Sequence, residues 1–139
     1  VGPMGRAFMV AGVFGMSPEF THHEGTLVQD PDRRTPLAFG RYLAQSCAGC
    51  HGETFAGGET IGPDAPPSAN LTPHPVDGLG SWSFEDFDRA MRQGVRPDGR
   101  ELAAFMPWRL FASFEEAELE ALWAYLTTLE PVAAEADAD

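Results

Sequence analysis

Residues 47–51 read Cys-Ala-Gly-Cys-His, and this stretch decides how the rest of the chain is read. Two thiols three positions apart can each close a thioether onto a vinyl group of one porphyrin. The next residue then brings its imidazole under the iron as proximal ligand. The chain holds two cysteines in all, and the motif uses both. Cys47 and Cys50 are therefore the expected attachment points of one covalent haem c per chain, with His51 on the metal. Competing readings lack their other half. A redox dithiol of this spacing belongs in alternating strands and helices, which the sequence does not offer. A structural zinc site needs a fourth ligand from a second paired motif.

Working outward, the 139 residues fit one domain with appendages. The pattern divides into an extension over residues 1–35 that packs on the domain, a body over 36–131, and an acidic tail over 132–139. Formal net charge is −12, with nine arginines and no lysine. Nucleic acid is excluded as a partner, because no basic stripe faces phosphates. Anionic membrane surfaces are disfavoured for the same reason. There is no lysine ring with which to dock an acidic protein, so a partner is basic or the docking is mainly apolar. Covalent haem attachment takes place outside the cytoplasm, so the chain is expected to be periplasmic or on the outer face of the cytoplasmic membrane. The apolar run Ala7 to Met16 is too short to span a bilayer, which needs about 20 residues. It reads as mature chain, with a removed signal or a membrane tether upstream.

Helical spacing predicts a first helix from Pro36 to Ser46, with Leu37, Gly40, Leu43 and Ala44 on its packed face. Residues 57–80 are a Gly- and Pro-rich loop ending in Asn70-Leu71-Thr72-Pro73, of a length that a cofactor edge would justify. Ser83 reads as the N-cap of a second helix, with Asp86 three residues on and Phe84, Phe87 and Met91 along one side. It ends near Gly94, and Pro97-Asp98-Gly99 forms a turn. Ser113 and Glu116 read as the capping box of the last helix, whose face is Leu119, Leu122, Trp123 and Leu126 and which stops before Pro131. Glu115, Glu116, Glu118 and Glu120 read as its solvated acidic side. No period-2 strand occurs, and the fold class is all-α.

A second axial ligand has several candidates. Met91 sits in step with two phenylalanines and reads as core. Met4, Met9 and Met16 lie in the extension. Met106 precedes Pro107, which holds it extended and off any helix, so it can be fixed toward the iron from a stiff loop. His22, His23 and His74 are alternatives that read as solvated loop residues.

With these residues in view, the chain resembles a monohaem class I cytochrome c. The resemblance covers residues 36–131 and rests on GRYLAQSCAGCH (40–51), NLTPHPVDGLGSW (70–82), FMPW (105–108) and AYLTTLEP (124–131). It is especially similar to the small cytochrome domains found with periplasmic dehydrogenases and respiratory complexes. The resemblance implies helices wrapped around one covalent haem, with the non-globular N-terminal extension set apart. The first and last helices would cross at Gly40, with Tyr125 and Leu126 opposite. It carries His51 over as proximal and Met106 as distal metal ligand, and places Trp82 beside a haem propionate. His51 would donate to a proline carbonyl, from Pro63, Pro66 or Pro67. The implied role is one-electron transfer without bond making, between redox protein partners such as an oxidase, a quinol-oxidising complex or a dehydrogenase. Two other classes stand beside it. One is a haem enzyme or gas sensor with an open sixth site flanked by Arg100 and Arg109; the other is a cytochrome subunit of a larger oxidoreductase complex.

Overall fold

Proline has no N–H to lose at a first helical position. Pro36 accordingly opens α1, Pro36–His51, in the computed structural model, which describes residues 32–60 and 62–133. The expectations for Met4, Met9, Met16, His22, His23, the apolar run 7–16 and the end of the tail fall outside those residues. α1 does not stop at Ser46 as expected. Nothing breaks it before Gly52, whose φ of 76° ends it, so the whole 47–51 motif is helical. Its buried stripe is Phe39, Gly40, Ala44, Cys47 and His51, whereas Leu37 is half exposed, against expectation.

α2, Phe84–Gln93, follows the sequence closely. Ser83 accepts from Asp86 N–H at 3.2 Å, and the Asp86 carboxylate accepts from Ser83 N–H at 3.1 Å, closing a capping box. Gly94 ends it in the left-handed conformation. A Ser83→Ala variant is expected to unfold roughly 5 °C below the parent, measured by thermal melting.

A short helix that periodicity could not reveal, α3, Trp108–Phe111, follows the Met106-Pro107 pair. The last helix, α4, is Glu116–Leu126. Its cap is displaced from the expected Ser113–Glu116 pair: Glu115 N–H donates to the Glu118 carboxylate at 2.9 Å, while Ser113 turns back to the Leu110 carbonyl. Arg33 pairs with Glu118 at 3.5 Å and lies 3.9 Å from Glu115, so Glu118 is partly covered while Glu115, Glu116 and Glu120 stay exposed as expected. α4 stops before Pro131, as expected. The Thr127 and Thr128 hydroxyls take up the carbonyls of Trp123, Ala124 and Tyr125 and close the helix before Pro131.

Among the described residues there is no strand; one bridge, Val95 to Glu101, closes the turn at Pro97-Asp98-Gly99. α1 packs along α4, and α2 packs on both α3 and α4. At the α1–α4 crossing an added Cβ on Gly40 would sit on the Ala121 carbonyl, with Tyr125 Cβ 2.9 Å away. Tyr125 is thus opposite as expected, with Ala121 as the closer neighbour. The core beneath is Ala44, Cys47, Phe55, Leu79, Phe87, Met91, Leu119, Leu122 and Leu126, so Met91 is a packing residue.

Candidate cofactor site

Because α1 runs through residue 51, Cys47 and Cys50 stand at i, i+3 on one helical side, with His51 in the final position. Both thiols are free; Cys47 is buried and Cys50 partly so. Burial pushes the Cys47 thiol up, keeping it protonated and slow to oxidise.

His51 is 6% exposed, and its Nδ1 lies 2.7 Å from the Ala69 carbonyl oxygen. A carbonyl can only accept, so Nδ1 carries the hydrogen and Nε2 keeps its lone pair. Burial pushes the imidazole's pKa below its ordinary value, an effect that the Ala69 bond opposes in part. The shift favours the neutral ring, the form in which an imidazole can ligate a metal. The acceptor is not Pro63, Pro66 or Pro67, contrary to expectation. Two backbone bonds bracket Ala69 instead: Gly58 N–H donates to Ser68 O at 2.9 Å, and Leu71 N–H to Phe55 O at 2.8 Å. The prolines lie upstream of this pairing. A backbone acceptor leaves no side-chain signature, so the sequence could not single out Ala69.

Met106 is partly buried against the core that contains Cys47, and Trp82 packs on the same core. The loop bearing Met106 is fixed at both ends on Gly94. Leu102 N–H donates to the Gly94 carbonyl at 2.7 Å, and the Trp108 ring lies so close to Gly94 that any Cβ there would clash. Arg92 adds a tie from α2 to the carbonyls of Ala112 and Phe114.

The remaining candidates among the described residues are engaged elsewhere. His74 Nδ1 accepts from Asp77 N–H at 3.1 Å within its own loop. Arg100 is bound to Asp98 at 2.6 Å, and Arg109 stacks over the Trp108 ring at 4.4 Å. Sequence reasoning also missed Asn70 and Thr72, which are buried and bonded to each other. An Asx-type Asn-x-Thr spacing was the available signal.

Residues 38–130 match the family model described as cytochrome c. The chain is 42% identical over 113 residues to one of the nicotinate dehydrogenase subunits of Pseudomonas putida, covering 74% of this chain and 9% of that protein. It is 37% identical over 117 residues to the cytochrome c subunit of the quinone-dependent alcohol dehydrogenase of Gluconacetobacter polyoxogenes, covering 77% of this chain and 25% of that protein. Against the fructose dehydrogenase cytochrome subunit of Gluconobacter japonicus it is 34% identical over 104 residues, covering 68% and 21%. The chain spans a quarter or less of the length of these relatives.

Proposed function

The chain belongs to the cytochrome c family, and from that premise we propose that it relays single electrons between redox proteins outside the cytoplasm through one His51/Met106-ligated haem. Family membership brings a covalently attached haem c, and Cys47 and Cys50 have the spacing to hold it. When bound, the haem supplies a one-electron iron couple.

The chain's own residues do the rest. The thioethers at Cys47 and Cys50 keep the group from leaving. His51 presents its Nε2 lone pair, and its bond to Ala69 raises the basicity of the ring and fixes its orientation. The soft Met106 thioether favours reduced iron and raises the potential. Trp82 would offer its indole N–H to a haem carboxylate. The apolar core around Cys47 excludes water. A net charge of −12 works the other way by stabilising oxidised iron, so the midpoint is expected to be positive but moderated.

The observation that carries this reading is the buried His51 with its Nδ1 2.7 Å from the Ala69 carbonyl oxygen, on the same helix end as two free thiols. Arg100 is paired with Asp98 and Arg109 is stacked on Trp108, engagements that weigh against the enzyme or gas-sensor reading. The names of the relatives favour a dehydrogenase as donor, with this chain as one cytochrome unit of a larger assembly. Phe105 and Leu110, both exposed close to Met106 in the chain, support an apolar docking mode.

The test is the absorption spectrum of the purified protein, oxidised and reduced, beside Met106→Ala. A low-spin spectrum with a weak far-red sulfur-to-iron band is expected in the parent. The variant is expected to lose that band, and its midpoint to fall by a measurable part of the roughly 0.8 V that axial ligands span. A high-spin parent would overturn Met106 as ligand, as would a strongly negative midpoint.

A further inference from the structure

The Ala69 carbonyl that holds His51 lies in the same rigid peptide plane as the Asn70 N–H. Whatever holds Asn70 in place therefore limits the directions open to that carbonyl. Asn70 is held by a polar knot inside the core. Its Oδ1 accepts from the Thr72 backbone N–H at 2.8 Å and from the Thr72 hydroxyl at 2.7 Å. Its Nδ2 donates to the Val132 carbonyl at 2.6 Å, across 62 residues of sequence. Val132 N–H returns a bond to the Thr72 hydroxyl oxygen at 3.1 Å. Thr72 is 0% and Asn70 7% exposed, so the bonds between them do not compete with solvent, while those to the Val132 peptide are part-buried.

We infer that Asn70, Thr72 and the Val132 peptide form a clasp that positions the Ala69 carbonyl for His51, making the segment after the last helix a determinant of the axial imidazole. The inference rests on His51 as proximal ligand. The two flanking backbone bonds, Gly58 to Ser68 and Phe55 to Leu71, hold the residues on either side of the Ala69–Asn70 plane but not its rotation. The knot supplies that missing constraint. Asn70 and Thr72 act through Ala69 and His51, so they are positioning residues. A firm Nδ1–H bond makes the imidazole a stronger donor, which favours oxidised iron. Loosening the clasp weakens that bond, and the potential rises.

The experiment uses the haem-loaded chain with Thr72→Val, which keeps the shape and removes the hydroxyl, and Thr72→Ser, which keeps the hydroxyl. Midpoint potential is read by spectroelectrochemistry, and the hyperfine-shifted ring protons of the axial histidine by proton magnetic resonance. Thr72→Val is expected to shift the potential upward and to move those ring resonances, with Thr72→Ser restoring both toward the parent. Deleting residues 132–139 removes the other half of the clasp and is expected to give the same upward shift even where Thr72→Val fails to fold. Variants that melt earlier with unmoved potential and unmoved resonances would overturn the clasp, leaving a purely structural knot. A parent without axial-histidine resonances would overturn the His51 reading and the clasp together.

Discussion

The double variant Cys47→Ala, Cys50→Ala is expected to lose its covalent haem completely. In a host competent for export and haem attachment, the parent should keep its haem stain on a denaturing gel, and the double variant should show none. The reason is atomic. Each thioether consumes one thiol, the chain has no other cysteine, and both thiols are free on one side of the same helix end. Each single variant retains one thioether and is expected to keep the stain, with a shifted reduced α band from the unsaturated vinyl group. Because His51 stays in place in all three, haem found with the double variant would be held by ligation alone. Acid–organic extraction should then remove it. A stained double variant would sink the attachment assignment outright.

The second large effect is expected at the crossing of α1 and α4. Gly40→Ala should destabilise the protein by about 3 kcal/mol or more, since the new methyl group must push backbone apart rather than a side-chain tip. Small domains have only about 5–15 kcal/mol in hand, so a visible unfolded population is expected well below the parent's melting temperature. The sign is what makes this test sharp. Within a helix, replacing Gly by Ala ordinarily stabilises by about 0.5–1 kcal/mol. Gly49 lies in the same helix with open space where its Cβ would be, so Gly49→Ala is expected to follow the ordinary rule. Denaturant unfolding of the two variants side by side should give shifts of opposite sign. If Gly40→Ala lay within about 1 kcal/mol of the parent, the close approach to Ala121 would be wrong.

Much of this was legible in the residues. Cys47, Cys50 and His51 stand out by type and spacing, and the run of α1 brings them to one helix end. Ser83 and Asp86 form a cap whose partners are three residues apart, and the structure closes it as read. The crossing at Gly40 was implied by the resemblance rather than by the residue alone, and the structure puts Ala121 and Tyr125 against it. The misreadings have a common cause. Ser113 and Glu115 both had an acid three residues on, and the path of the chain after α3 chose between them. Leu37 lies on the apolar side of α1 yet is half exposed, so periodicity alone did not say where the covering ends.

By itself the sequence determined what is local: the Cys-x-x-Cys-His spacing, an all-helical body, the Ser83–Asp86 helix cap, and a short roll of possible ligands. Only the tertiary structure decided which carbonyl holds His51, and that Asn70, Thr72 and Val132 meet in the core. The physical reason is that every residue carries the same backbone acceptor. Nothing in a side chain marks Ala69 as the partner, and bonds that span 62 residues exist only once the chain has folded.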